Sequence, residues 1–259
     1  MFSKLGLQIY TVRDHMQDDK AIEETFEKLA ALGYTEGQTA GKESEEYARL
    51  AKKYGIDIVG THIGYDQIVN DVDKTIKLHE TLGTTNIGIG AMPYEARKDY
   101  DGLMRFIEGY NNAAEIYAKH GFKLTYHNHS FEFVRIKDDK TAMDLLVESF
   151  DKKNISFVLD TCWVANAGAD VRHWLEKLSG RVDILHLKDV KPVYYDESFW
   201  TQSRLCEVGE GSIWWDGVLE TAERTGVKHY VVEQDNYWID NDPFKSLAVS
   251  KKYLEKYMK

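Results

Sequence analysis

Polar side chains that can bind metal ions follow four short apolar runs in the second half of the sequence. The runs end in His127-Asn128-His129, in Asp160, in His186-Leu187-Lys188-Asp189 and in Glu233, and Glu132 lies just beyond the first of them. Imidazole nitrogens and carboxylate oxygens together suit divalent ions such as Mn, Fe, Co, Ni and Zn. If the runs are parallel strands of one barrel, their carboxyl ends open onto a single face. The spacing therefore predicts a divalent-metal site built from several strands.

Strand-like runs alternate with amphipathic helical segments along the chain. The runs cover residues 5–12, 34–40, 56–63, 86–92, 123–129, 155–161, 182–190 and 228–234. Gly33, Gly121 and Gly226 each follow a helical segment, where glycine is a common left-handed stop. Strands that alternate with helices form βαβ units and a parallel sheet. Eight such units in 259 residues predict an α/β protein with a single (β/α)8 TIM barrel over residues 1–259.

Composition and charge exclude several classes of function. A formal net charge of −10 argues against a nucleic-acid-binding surface, since nucleic acids attract basic proteins. No apolar span is long enough to cross a membrane, and the first residues lack the features of a signal peptide. The two cysteines, Cys162 and Cys206, form no disulfide framework. We expect a cytoplasmic protein that binds a small-molecule sugar substrate and has neither nucleic acid nor a membrane as partner. The sequence leaves open whether the protein forms a homo-oligomer.

The densest group of candidate residues is His127, Asn128, His129 and Glu132. His127 and His129 share a face if the strand continues to residue 129. This group offers more donors than one metal ion needs, so some members are expected to contact substrate. The alternative is that one of the histidines is a packing residue with satisfied ring nitrogens.

The other strand ends supply an acid, an imidazole and an ammonium group. Asp160 ends an otherwise apolar run, where a carboxylate must be paired or metal-bound, unless it caps the following helix. Lys188 shares a face with His186 and can stabilise a developing oxyanion. The alternative for Lys188 is a structural ion pair with Asp189 or another acid. Glu233 closes the last run and is expected to be a ligand.

Further residues are candidates for substrate contact. His62 ends the third run and can bind substrate or transfer protons, although a structural histidine is an equal alternative. Trp163 offers an apolar wall for a sugar ring. The long segment 191–213, which includes Glu210, is expected to cover the substrate, since long loops at this end of a barrel shape active sites. The alternative is a surface excursion with its own apolar cluster.

Six segments, taken in order, carry a resemblance to a known group of proteins. They are residues 5–14, 126–133, 159–163, 186–189, 209–211 and 232–235. As a set they resemble the xylose isomerase-like TIM barrel superfamily, the sugar phosphate isomerase/epimerase group. This resemblance implies one divalent ion, commonly Mn, with Mg, Co, Fe or Zn as alternatives.

The resemblance also implies a ligand set. Carried over to this chain, the ligands are Glu132, Asp160, His186 and Glu233. In many relatives the strand-five glutamate lies inside the strand, near the position of His127, so His127 is the alternative ligand and Glu132 then binds substrate. Many relatives also have a glutamate at the end of strand two, where this chain has Gln38.

The implied activity is isomerisation or epimerisation of a keto-sugar or sugar phosphate through an enediolate. Glu132, Glu233 or His127 would remove the proton, Lys188 would stabilise the oxyanion, and His62, His129, Trp163 and Glu210 would contact the substrate. The His-Asn-His form of the strand-five segment resembles branches that act on keto-sugars, 3-keto-glycosides or inososes more than the free ketose epimerases, and some of those branches eliminate. An abasic-site endonuclease and a non-catalytic sugar-binding protein are the rival interpretations.

Overall fold

The computed structural model describes residues 1–195 and 199–259. In chain order its strands are β1 (Gly6–Gln8), β2 (Glu36–Thr39), β3 (Asp57–Thr61), β4 (Asn86–Ile89), β5 (Lys123–His127), β6 (Arg135–Lys137), β7 (Lys140–Thr141), β8 (Ile155–Asp160), β9 (Val182–Leu187), β10 (Asp189–Tyr194), β11 (Thr201–Cys206) and β12 (His229–Val232). Eight of them form one sheet in the order β3-β2-β1-β12-β9-β8-β5-β4. Neighbouring strands in this sheet run parallel.

The two ends of the eight-stranded sheet meet and close it into a barrel. Ile63, just beyond β3, forms a parallel bridge with Ile89 of β4. The N–H of Ile63 donates to the carbonyl of Gly88 over 2.9 Å, and the amide of Asn86 donates to the carbonyl of Val59 over 2.9 Å. The predicted single (β/α)8 barrel is therefore confirmed.

Helices surround the barrel. They are α1 (Asp19–Ala31), α2 (Glu45–Lys53), α3 (Tyr65–Asn70), α4 (Val72–Leu82), α5 (Tyr94–Arg97), α6 (Tyr100–Ala118), α7 (Ala142–Ser149), α8 (Thr161–Asn166), α9 (Val171–Lys177), α10 (Trp215–Thr225) and α11 (Pro243–Leu254). Gly33, Gly121 and Gly226 have φ angles of 83° to 84°, which confirms the predicted left-handed stops. Among the described residues, no helix combines the length and the apolar character needed to cross a membrane.

An apolar layer fills part of the barrel interior. Val59, Val158, Ile184 and Val231 are buried and pack together, and they come from β3, β8, β9 and β12. Strand side chains alternate between the two faces of a sheet, so residues two positions further along point the same way. Two positions beyond Val158, Ile184 and Val231 are Asp160, His186 and Glu233, three of the predicted metal-binding residues. These three residues therefore lie directly above the apolar layer.

The strands are shorter than the apolar runs that predicted them. The first run extends to residue 12, but the strand ends at Gln8 because its side chain accepts from the N–H of Tyr10 and starts a 3-10 helix, Ile9–His15. Likewise, β5 ends at His127 rather than at residue 129. Side-chain hydrogen bonds of this kind compete with the sheet for backbone donors, and apolar periodicity does not reveal them.

Much of the segment 191–213 is a hairpin. Strands β10 and β11 pair antiparallel, from Asp189 opposite Cys206 to Tyr194 opposite Thr201. Residues 196–198 lie outside the described residues, so the prediction that this segment covers the substrate concerns a part of the chain that the structure does not fully describe.

The close approach of β3 and β4 gives a test of barrel closure. A Cβ atom at Gly88 would lie 2.0 Å from the Thr61 carbonyl oxygen and 2.9 Å from Thr125 Oγ1. We expect Gly88→Ala to lower the free energy of unfolding by about 3 kcal/mol, because overpacking at this seam forces the strands apart. Urea denaturation followed by circular dichroism measures the loss.

A matched control exists just beyond β3. Gly64 has a φ angle of −71°, and a Cβ atom there would meet nothing within 4 Å. Gly64→Ala should leave the free energy of unfolding almost unchanged. Equal stabilities of the two variants would contradict the proposed role of the seam.

Candidate metal centre

Four buried side chains meet at the carboxyl ends of four barrel strands. They are His127 of β5, Asp160 of β8, His186 of β9 and Glu233, which directly follows β12. Each offers one ligand atom, and these atoms lie within 4.8 Å of one another. We call these four residues the strand-end cluster. Its shortest internal contact joins His186 Nδ1 to Glu233 Oε2 over 2.9 Å.

The strand-end cluster has the donor chemistry of a divalent-metal site. His127 Nε2 is 3.4 Å from Asp160 Oδ2 and 4.0 Å from Glu233 Oε2. Two imidazoles and two carboxylates suit Mn, Fe, Co or Zn, whereas Ca prefers sites made only of oxygen ligands. Buried carboxylates without a cation are strongly disfavoured. The cluster can therefore hold one divalent ion, and the donors present fit such an ion.

Lys188 supplies a permanent positive charge beside the cluster. Its Nζ donates to Glu233 Oε2 over 3.0 Å and to Asp235 Oδ2 over 2.7 Å, and it lies 3.6 Å from Asp160 Oδ2. Burial alone would lower the pKa of Lys188, but Glu233, Asp160 and Asp235 outweigh burial and raise this pKa above its ordinary value. Lys188 is therefore an electrostatic group and cannot serve as a base near neutral pH.

The same charges control the carboxylates and His186. Burial would raise the pKa of Asp160 and of Glu233, but Lys188 and the neighbouring histidines hold both pKa values below the usual range. Burial would lower the pKa of His186, but Glu233 and Asp160 raise it to about 9. Without a metal ion, the cluster therefore holds a proton between His186 Nδ1 and Glu233.

Asp160 combines two of the roles considered for it. Its Oδ1 accepts from the N–H of Trp163 over 2.9 Å and caps α8, while its Oδ2 faces the histidines. The N–H of Asp160 donates to Asn128 Oδ1 over 2.9 Å. The helix cap and the hydrogen bond from its own backbone fix the carboxylate in place, which leaves one oxygen for the cluster.

The structure places Glu132 outside the strand-end cluster. Its Oε1 accepts from Tyr126 over 2.6 Å, and its Oε2 accepts from the N–H of His129 over 2.8 Å. Burial raises the pKa of Glu132 to about 8, although these hydrogen bonds partly oppose the shift. Because β5 ends at His127 and a 3-10 turn follows, Glu132 folds back onto its own loop. His127 occupies the position expected for the strand-five ligand.

Aromatic and imidazole rings line the space next to the cluster. The ring of His127 lies 5.0 Å from that of His62 and 4.7 Å from that of His129, between ring centroids, and His129 lies 5.6 Å from Trp163. Burial lowers the pKa of His62 and lowers that of His129 to about 3, so both rings are neutral. Within the described part of the chain, His62 Nε2, His129 Nδ1 and Trp163 Nε1 are buried without hydrogen-bond partners.

These unpartnered atoms point to a polar ligand. A buried polar atom without a hydrogen bond is unfavourable, so several of them in one place indicate that a bound molecule supplies the missing partners. A molecule with several hydroxyl or carbonyl oxygens fits this requirement. His62, His129 and Trp163 are thus brought to the site where the sequence predicts substrate contacts.

Glu210 and Asp189 are placed differently from the other candidates. Glu210 is exposed on the loop after β11, and the structure does not bring it to the strand-end cluster. Asp189 does not pair with Lys188, since its carboxylate accepts from Trp215 Nε1 over 2.6 Å and from the N–H of Gly209 over 3.0 Å. Asp189 therefore anchors the Gly209–Gly211 loop, where a Cβ atom on Gly211 would lie 2.0 Å from its Oδ1.

Three residues at the site received little or no weight from the sequence. Asn128 orients Asp160, and Gln8 and Gln38 contact His62 and His186. The available signal was weak: Asn128 stands between two histidines, Gln8 ends β1, and Gln38 lies one residue before the end of β2.

Comparison with known proteins identifies the family. A profile of the xylose isomerase-like TIM barrel family matches residues 20–256. The chain belongs to this family. Among curated relatives, the inosose dehydratase of Geobacillus thermodenitrificans is 26% identical over 172 residues, which is 62% of this chain and 56% of the relative. That of Lactiplantibacillus plantarum is 31% identical over 99 residues, or 38% and 31% of the two chains. The matched part spans little more than half of the first relative's length.

Solved structures agree on the fold. A sugar phosphate isomerase/epimerase from Parabacteroides distasonis is 23% identical, with 98% of this chain and 94% of that chain covered and a TM-score of 0.79. The D-psicose 3-epimerase of Clostridium cellulolyticum is 18% identical, with 98% and 99% covered and a TM-score of 0.70. These likenesses show the barrel. The curated relatives are enzymes.

The charge pattern of the cluster predicts how metal binding depends on pH. The pKa of His186 is raised from 6.5 to about 9, so its Nδ1 carries a proton near neutral pH. The stability that protonated His186 adds to the fold is complete below pH 6.5 and is lost as the pH rises through 9. A metal ion at Nδ1 must displace that proton. We expect affinity for Mn²⁺ to rise about tenfold per pH unit between pH 6.5 and 8.5. Electron paramagnetic resonance of free Mn²⁺ measures this, and a constant affinity would contradict the assignment.

Proposed function

We propose that this protein is a divalent-metal-dependent enzyme that removes a proton next to the ketone of a keto-sugar or inosose and then eliminates a β-oxygen. The observation that carries the proposal is the position of Lys188, a buried ammonium group 3.0 Å from Glu233 at the edge of the strand-end cluster. A negative charge that develops on a substrate oxygen there meets a fixed positive charge in a buried site, where such interactions are strong.

The strand-end cluster supports the first half of the reaction. His127, Asp160, His186 and Glu233 would hold the ion, Mn²⁺ by preference, which supplies Lewis acidity toward a ketone and its neighbouring oxygen when bound. We assign proton removal to Glu233, because its carboxylate contacts both the cluster and Lys188. The electron pair left by the proton then moves toward the oxygen that Lys188 stabilises.

The environment of Glu132 favours elimination over epimerisation. Epimerisation requires a proton acceptor on one face of the carbon and a donor on the other. The strand-five carboxylate that could fill the second role is instead held by Tyr126 and by the backbone of His129. In elimination, the β-oxygen leaves with the proton that Glu233 removed, as water or an alcohol. The neutral rings of His62 and His129 can form hydrogen bonds with that oxygen. The name of the curated relatives, inosose dehydratase, fits this reaction.

Deuterium exchange tests the first step directly. Keto-sugars, 3-keto-glycosides and inososes are incubated with the enzyme and Mn²⁺ in deuterated water, and the ion is removed with EDTA before NMR. We expect deuterium at the carbon next to the ketone in the recovered substrate, where the removed proton is replaced from solvent before elimination, and an enone as product. Glu233→Gln should slow exchange by about a thousandfold or more, because it removes the base and also one of the four donors of the strand-end cluster.

The matched control for this experiment is Glu220→Gln, an exposed glutamate on α10. It changes the same functional group and should exchange at the wild-type rate. Exchange at the wild-type rate by Glu233→Gln would overturn the role of Glu233. Deuterium uptake with inversion and without an enone would show epimerisation instead of elimination.

Lys188 offers a second test of the same mechanism. We expect Lys188→Met to lower kcat by about a hundredfold, because the developing oxyanion loses its fixed cation. The variant should still bind one Mn²⁺ per chain, since all four donors of the strand-end cluster remain. Metal content by atomic absorption and kcat on the substrate found above measure both effects. An unchanged kcat would exclude the electrostatic role.

A further inference from the structure

We propose that a hydrogen-bond relay from the backbone N–H of Tyr10, through Gln8 and Gln38, determines which nitrogen of His186 faces the metal centre. The inference rests on the proposed function in one respect only, namely that His186 is a metal ligand. Gln8 and Gln38 act through other residues and are therefore positioning residues. Both are fully buried.

The first step of the relay fixes the amide of Gln8. The backbone N–H of Tyr10 can only donate, and it lies 3.1 Å from one amide atom of Gln8. That atom must therefore be the carbonyl oxygen. The NH2 group of Gln8 consequently points the other way, toward Gln38 and His62. Rotation of the amide by 180° would place two donors against each other.

The second step uses both hydrogens of the Gln8 NH2 group. Gln8 Nε2 lies 3.1 Å from Gln38 Oε1 and 3.2 Å from His62 Nδ1. Both neighbours must accept. The Gln38 oxygen is thereby fixed toward Gln8, and the neutral ring of His62 carries its proton on Nε2. That nitrogen is buried and has no hydrogen-bond partner among the described residues.

The third step reaches the strand-end cluster. His186 Nε2 lies 2.5 Å from Gln38 Oε1, an atom that can only accept, so Nε2 keeps its proton. His186 Nδ1, 2.9 Å from Glu233 and 3.7 Å from Asp160, is then the nitrogen that can bind an ion. The orientation leaves Gln38 Nε2 without a partner in the described structure. That unsatisfied donor indicates that the orientation is imposed by its neighbours.

The relay gives a physical reason for an amide at position 38. A hydrogen bond to the second nitrogen of a ligating histidine orients the ring and sets its basicity. A neutral amide oxygen orients the ring without adding another negative charge to a site that already contains Asp160, Glu233 and Asp235. A side chain without an acceptor at this position would leave the Nε2 proton unsatisfied.

The test uses protein labelled with ¹⁵N in histidine and ¹¹³Cd²⁺ as a diamagnetic probe ion. Signals of His62 and His186 are assigned by their loss in His62→Asn and His186→Asn. In the cadmium-loaded protein we expect scalar coupling between ¹¹³Cd and His186 Nδ1, with a proton on Nε2. In the metal-free protein we expect His62 to carry its proton on Nε2. Coupling through His186 Nε2, or a proton on His62 Nδ1, would overturn the relay.

Variants of Gln38 separate positioning from a general structural effect. Gln38→Met removes the acceptor and should weaken Cd²⁺ binding by about 10- to 100-fold, whereas Gln38→Glu retains the acceptor and should bind at least as tightly as wild type. Thermal unfolding shows whether each variant folds. Equal affinities of Gln38→Met and wild type would contradict the relay.

Failure of the relay and failure of the proposed function remain distinguishable. If the wild-type protein does not bind Cd²⁺ or Mn²⁺, the metal-dependent function is wrong, while the position of the His62 proton in the metal-free protein still decides the relay. If the ion binds through His186 Nε2, the metal site stands and the relay is wrong.

Discussion

The rest of the site depends on the burial of Asp160 and Glu233 beside Lys188, directly above an apolar layer. Two carboxylates without a cation would be strongly unfavourable in this position, and the Lys188 ammonium lies within 3.6 Å of both. The compensation leaves the histidines His127 and His186 free to present ring nitrogens to the same space. The result is a cluster with donors for a divalent ion and a cation that remains when the ion is absent.

Neutral hydrogen bonds orient this charged group. Asn128 binds the backbone of Asp160, the N-terminus of α8 binds its carboxylate, and Gln38 binds His186. These partners lie just after β5, in α8 and on β2, so the geometry of the site is set by the closed barrel rather than by any single segment. Amide partners suit this task because they orient a ligand without changing the charge of the centre.

Asp189 has a comparable structural role at the edge of the site. It directly follows Lys188, yet its carboxylate is directed away from the cluster, toward Trp215 and the backbone of Gly209. This arrangement joins the start of β10 to the Gly209–Gly211 loop and positions the hairpin of β10 and β11. Two adjacent charged residues thus serve different purposes: Lys188 lies at the candidate site, and Asp189, the first residue of β10, belongs to the scaffold.

Much of this protein can be read from its sequence. Apolar runs that alternate with amphipathic helices, and glycines such as Gly33 and Gly226 at helix ends, predict the barrel because periodicity and backbone conformation are local properties. The strand-end positions of Asp160, His186 and Glu233 predict a shared site because parallel strands end on one face. Tertiary structure decided the rest. The position of His127 inside the strand-end cluster, with Glu132 outside it, depends on where β5 ends and on the hydrogen bond from Tyr126. The roles of Gln8 and Gln38 depend on contacts between residues 30 and 148 positions apart in the chain, which no local pattern encodes.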